Sequence, residues 1–113
     1  MHELGILYHV VDQVLNIVEE NQLETVEAIV LQVGELSTVV PRYLYSCYPA
    51  TVVGTMLEDT KLEVEILPAN ALCHNCGKVF NALSNHGTCP FCSAKDHELL
   101  SGREFMIKEI RAY

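Results

Sequence analysis

An α+β fold is predicted: a small three-stranded sheet with two helices, interrupted by an inserted, cysteine-bearing knob. Three observations predict it. The first twenty residues carry apolar side chains at helical spacing, and three later segments read as strands. Between the second and third of those strands lie two C-x-x-C pairs. With 113 residues, half of them hydrophobic, the chain can form one domain with a modest insert and bury roughly two thirds of its unfolded surface.

From Leu4 onward, Leu7, Val11, Val14, Leu15 and Val18 recur one helical turn apart, with Ile6, Val10 and Ile17 widening the stripe. Asp12, Gln13, Asn16, Glu19 and Glu20 supply the polar side, so an amphipathic helix is expected from about Glu3 to Glu20. Thr25–Val33 (TVEAIVLQV) is rich in β-branched residues and apolar at most positions, as a central strand covered on both faces would be. Gly34 ends it. Pro41 suits the first turn of a second helix, with Tyr43, Leu44, Cys47, Tyr48 and Val52 facing inward. Pro49 removes a backbone donor inside that pattern, so a kink or early end is expected there, with Gly54 as a stop. Lys61–Leu67 alternates, Leu62, Val64 and Ile66 inward against Lys61, Glu63 and Glu65. Pro68 closes that strand. After the turn at Ser101-Gly102, Glu104–Arg111 alternates imperfectly through Phe105, Ile107 and Ile110. The second and third strands are expected to pair as neighbours, with the cysteine segment as an excursion between them.

The excursion contains Cys73, Cys76, Cys89 and Cys92, the two pairs separated by twelve residues. Gly77 follows the first pair and Pro90 lies inside the second, as tight knuckle turns require. Four thiolates brought face to face this way match the closed tetrahedral site of a structural zinc ion. Iron on the same sulfurs and a pair of disulfides are the alternatives. A zinc-ribbon-like knob of residues 69–101 is therefore expected, inserted in an α/β domain of residues 1–68 plus 102–113. So small a knob should draw about 10–16 kcal/mol of folding energy from its metal. Cys47 is left over and is expected to be a buried, inert thiol.

The first residues suggest a second metal site. The Met1 amine, the His2 amide nitrogen and the His2 imidazole can close chelate rings around one ion, and such nitrogen-rich tetragonal coordination favours Ni(II) or Cu(II). The first N–H groups of a helix lack intrahelical acceptors, so a metal there displaces no helix bond. Glu3 is a candidate oxygen ligand or tuning group. Spacing alone favours an exposed histidine without a role; geometry permits the site without demanding it. His97 is a further candidate for the nickel site, with a surface position as the default. His74 and His86 could exchange for a thiolate, solvation being the simpler expectation, and His9 reads as structural or exposed.

Several function classes are disfavoured. The net charge is −8, and between Leu72 and Leu100 the basic residues Lys78 and Lys95 are offset by Asp96 and Glu98. A nucleic-acid-reading ribbon needs a basic face, so DNA and RNA are poor partners. No apolar run approaches the roughly 18 residues of a membrane span, and no signal peptide is visible, so the cytoplasm is expected. A four-thiolate site leaves no open position for substrate, and neither a nucleophile–base pair nor a phosphate loop stands out. No enzyme is expected.

The chain resembles the HypA/HybF family of nickel-insertion accessory proteins for [NiFe]-hydrogenase maturation. The likeness rests on Met1-His2-Glu3-Leu4-Gly5-Ile6, Val33-Gly34-Glu35-Leu36-Ser37, the four cysteines, Glu98-Leu99-Leu100-Ser101-Gly102-Arg103-Glu104-Phe105 and Ile107-Lys108-Glu109-Ile110. It implies that His2 and neighbouring main-chain nitrogen bind transferable Ni(II), while Cys73, Cys76, Cys89 and Cys92 hold structural Zn(II). It also implies delivery of nickel to the hydrogenase large subunit together with the maturation GTPase HypB, and some members additionally support urease. A monomer or weak homodimer is expected. Two features depart from the pattern: Pro49 in the second helix, and Cys-Pro-Phe-Cys without an adjoining histidine. The runner-up function is a zinc-ribbon adaptor that binds another protein, with His2 irrelevant.

Overall fold

The computed structural model describes residues 3–113. The described chain forms two helices and six strands: α1 (Glu3–Asn21), β1 (Val26–Gly34), α2 (Pro41–Val52), β2 (Lys61–Leu67), β3 (Asn70–Cys73), β4 (Val79–Asn81), β5 (His97–Leu99) and β6 (Phe105–Ala112). They make two three-stranded sheets, ordered β2-β1-β6 and β4-β3-β5. The expected α+β class, with two helices and a small three-stranded sheet, is the observed one.

Packing separates two compact units. One comprises the chain up to Gln32 with Val39–Glu65 and Met106–Tyr113; the other is Val33–Thr38 with Ile66–Phe105. In the first, α1 packs on α2. Leu7, Val10, Val11, Val14 and Val18 form the buried stripe of α1, and Leu44, Tyr48 and Val52 that of α2. Ile29, Val30 and Leu31 of β1 are almost fully buried in succession. Consecutive burial means that both faces of the strand are covered, which its unbroken apolar run predicts.

β1 is central, and this corrects one expectation. β2 and β6 do not pair with each other; they flank β1. Thr25 and Tyr113 exchange backbone bonds of 2.9 Å, and the Gly34 N–H donates to Glu104 O at 2.7 Å, so β6 runs antiparallel to β1. Thr60 Oγ1 donates to Val26 O at one end of β2, and Glu35 N–H to Leu67 O at the other. β2 therefore runs parallel to β1, with α2 in the crossover. The most buried strand takes the middle, where a neighbour on each side satisfies its backbone N–H and C=O groups.

Other expectations also shift. Ile66 is 51% exposed, so the inward alternation of β2 fades after Leu62. Val64 N–H donates to Tyr45 OH at 2.9 Å, which occupies a donor on this edge strand. Pro49 does not end α2, which continues to Val52; the Val53 N–H bonds back to Pro49 O at 3.2 Å. The donor that Pro49 lacks would have served the carbonyl of Tyr45, a half-exposed residue whose carbonyl solvent can satisfy. Tyr43 faces outward instead of inward: it is 42% exposed, with the Arg42 guanidinium 4.9 Å above its ring. Cys47 is only partly buried. In β6 the alternation slips at Lys108 and Glu109, two adjacent exposed residues. Lys108 and Arg111 pair with Glu65 and Glu63 at 2.8 Å.

One anchor was not anticipated. Glu3 is 4% exposed, and its Oε2 accepts the Val40 N–H at 3.1 Å. Val40 is the N-cap of α2 and offers no side-chain cap of its own. The carboxylate thus satisfies an orphan donor and places negative charge at the positive end of α2.

Candidate metal centre

Both knuckles follow from where their cysteines sit. Cys73 ends β3, and Val79 begins the return strand β4, where it pairs with Leu72. The chain must reverse between them. It does so with Gly77 N–H donating to Cys73 O at 2.9 Å, Cys73 N–H to Lys78 O at 3.0 Å, and Gly77 at φ +76°. The second knuckle repeats this turn residue for residue. Ser93 N–H donates to Cys89 O at 2.8 Å, Cys89 N–H to Ala94 O at 2.8 Å, and Ser93 takes φ +66°.

The four sulfurs converge. Cys73 Sγ lies 3.5 Å from Cys92 Sγ, Cys76 Sγ lies 3.7 Å from Cys89 Sγ, and all four atoms fall within 4.8 Å of one another. A regular tetrahedron with metal–sulfur bonds of zinc length has edges of about 3.8 Å, so the donor set fits an ion of that size. Every cysteine is free, so the disulfide alternative is not what the structure shows. Among the described residues no histidine or carboxylate belongs to this group.

The protons of Cys92 and Cys76 are unequally held. The Asn75 side chain, then the Ala94 backbone N–H, hold the Cys92 thiol down to about 6. The Lys78 backbone N–H acts in the same sense on Cys76, but desolvation and the neighbouring sulfurs outweigh it and push that thiol up to about 11. Clustered thiols cannot all ionise together without a cation to offset their charge, which a divalent ion supplies.

The unit around them has a small interior of its own: Ala69, Ala71, Phe80 and Ala82 pack with Cys73 and Cys89, and Leu36, Ala94 and Leu99 lie against them. Three alanines and one phenylalanine leave little apolar surface to bury, so the cysteine centre must add to its stability. The base of the unit is a backbone clasp. A Cβ on Gly34 would lie 2.2 Å from Gly102 O, and one on Gly102 would lie 2.7 Å from Ala69 Cα. Beside the clasp, Glu35 Oε1 accepts from Ala69 N–H and from Asn81 Nδ2, both at 2.9 Å. Those bonds, Ala69 first and Asn81 second, hold the Glu35 carboxyl below its ordinary range. Sequence reasoning used Val33-Gly34-Glu35-Leu36-Ser37 only as a likeness and missed this role.

The remaining candidates are dispersed. His74 has ring nitrogens 3.1 Å from Asp96 Oδ1 and 3.4 Å from Glu98 Oε1, and Asp96, then Glu98, raise its pKa. His97 meets Phe80 edge to face at 5.6 Å, and its Nδ1–H donates to Lys95 O at 2.8 Å. His9 and His86 are exposed. His2, with the Met1 amine, lies outside the described residues. The acidic surplus is also uneven. In the cysteine unit Lys78, Lys95 and Arg103 nearly balance Glu35, Asp96, Glu98 and Glu104, so most of the net charge of −8 belongs to the other unit.

Residues 1–112 match the family model described as hydrogenase/urease nickel incorporation, metallochaperone, hypA. A hydrogenase maturation factor HypA of Prosthecochloris aestuarii is 37% identical over 110 residues, covering 97% of both chains. The factor of the same name from Geobacter sulfurreducens is 34% identical with the same coverage. The solution structure of the Ni metallochaperone HypA from Helicobacter pylori superposes with a TM-score of 0.68 at 22% identity, over 99% of this chain and 97% of that one. A second HypA solution structure gives 0.72 at 22% identity, covering 100% and 97%. At that identity the structures speak for the fold.

Proposed function

The chain belongs to the HypA family of hydrogenase/urease nickel-incorporation metallochaperones, and we propose that it carries Ni(II) for assembly of the [NiFe]-hydrogenase active site. Nickel is cargo, held by His2 with main-chain nitrogen and the Met1 amine, in the α/β part of residues 1–68 and 102–113. Cys73, Cys76, Cys89 and Cys92 of residues 69–101 hold Zn(II) as a structural ion. The observation that carries this is the span of the family match, which takes in both the Met1-His2-Glu3 start and all four cysteines.

The two centres suit their tasks for opposite reasons. Cys73 and Cys89 are each 1% exposed and backbone hydrogen bonds close both knuckles, so loss of an ion there requires a knuckle to open. A few nitrogen ligands at a chain start can be given up one at a time to an acceptor. The acidic surplus of the first unit raises the local concentration of divalent cations around such a site. The Glu3 carboxylate is engaged with Val40, which supports a role in fixing the start of α1 more than direct ligation. The chain is proposed to catalyse no reaction, to act in the cytoplasm, and to hand nickel to the hydrogenase large subunit in concert with HypB. No described helix is long and apolar enough to cross a membrane.

The test is complementation. A host lacking its own family member should regain hydrogenase activity with the wild-type chain and not with His2→Ala, while metal analysis finds zinc in both purified proteins. Equal rescue by the two would remove the nickel role from His2.

A further inference from the structure

The two knuckles share one hydrogen-bond pattern but not one sequence. Four residues after the first cysteine of each turn, the backbone must enter the left-handed region. Gly77 meets that demand at φ +76°, and Ser93 meets it at φ +66° while carrying a Cβ. A left-handed conformation is strained for any residue with a side chain and nearly free for glycine. That cost is borne by the closed turn and is relieved wherever Ser93 can leave the left-handed region.

Anchorage is unequal in the same direction. The first knuckle is the turn of the β3–β4 hairpin, and its Cys73 also pairs with His97 of β5. Cys89–Ala94 lies in the loop between β4 and β5, outside any strand. The sulfur contacts Cys73–Cys92 at 3.5 Å and Cys76–Cys89 at 3.7 Å join the less anchored turn to the better anchored one. Exposure ranks the outer cysteines oppositely: Cys76 is exposed and Cys92 only partly so.

We propose that the metal centre opens through its second knuckle, Cys92 leaving first, and that Ser93 sets how readily it does so. The first knuckle keeps its hold on the ion and the β3–β4 hairpin keeps its shape. This rests on the zinc assignment of the four cysteines. The step would be ligand exchange: Cys92 would leave as a thiolate keeping its electron pair, water would take its place on the ion, and the thiolate would take a proton from water or be alkylated by a maleimide.

The test uses the full zinc-loaded chain, N-ethylmaleimide and peptide mapping, with zinc release to a colorimetric chelator followed in parallel. Cys92 should be modified before Cys76, although Cys76 is the more accessible. Ser93→Gly should slow both Cys92 modification and zinc release about fivefold, the rate equivalent of relieving one left-handed residue after allowing for the greater freedom of glycine in the open state. Gly77→Ser should bring Cys76 to a comparable rate. Modification of Cys76 first, or unchanged rates in Ser93→Gly, would overturn the inference. A purified protein without zinc would overturn the zinc assignment itself, a distinguishable result.

Discussion

Gly34→Ala should be among the most damaging single-methyl additions this chain can receive. The new Cβ would sit 2.2 Å from Gly102 O, 2.3 Å from Gly102 C and 2.7 Å from Arg103 N. All three are backbone atoms, so no rotamer change relieves the overlap. A carbon normally stands about 3.5 Å from such neighbours, so the two segments must part by about 1 Å. Parting them strains the Gly34 N–H bond to Glu104 O and the Leu36 N–H bond to Gly102 O, both 2.7 Å long. Overpacking of this kind and two weakened bonds together cost about 3–5 kcal/mol. Against a typical stability of about 5–15 kcal/mol, that lowers the melting temperature by about 12 °C or more. The assay is thermal unfolding of the zinc-loaded protein by circular dichroism. Gly5→Ala is the control, since a Cβ there meets nothing within 4 Å and its residue lies in α1. It should be neutral or stabilising by up to about 1 kcal/mol. If Gly34→Ala melts with the wild type, the clasp does not hold the base of the cysteine unit.

Glu3→Ala should lower the melting temperature by about 5 °C because Val40 N–H loses its acceptor, and Glu3→Gln, which keeps an acceptor without the charge, should recover only part of that loss. Glu35 has a depressed pKa, so its contribution to stability is full above the unfolded carboxylate value and disappears as pH falls through the folded one. Melting temperature measured downward from neutral pH should therefore fall less steeply in Glu35→Gln than in wild type. Removing the metal with a strong chelator should abolish amide-exchange protection in Ala71 and Phe80, whose interior is small, while leaving the helical signal of α1 and α2.

What was legible in the sequence is what local period and spacing encode. The stripe of α1, the unbroken apolar run of β1 and the C-x-x-C pairs each carry their own answer. The order of the sheet does not, because β2 and β6 pair with a strand remote in sequence and no local pattern encodes that pairing. The strands β3, β4 and β5 are three or four residues long, too short for alternation to register. Tyr43 looked like an inward residue by spacing, but its ring is covered by the neighbouring Arg42 instead of the core. Within the cysteine unit the sulfurs were predictable, whereas the Gly34–Gly102 approach and the Glu35 bonds join positions far apart in the chain.

Nickel carried at His2 and nickel carried in the cysteine unit give different titrations. Calorimetric titration of Ni(II) into zinc-loaded protein with its native, untagged start, beside His2→Ala, tells them apart directly. The wild type should bind nickel tightly with the absorption of nitrogen-rich coordination, His2→Ala should lose that binding, and zinc should be unchanged in both. Equal nickel binding by the two proteins, or nickel that displaces zinc from Cys73, Cys76, Cys89 and Cys92, would contradict carriage at His2.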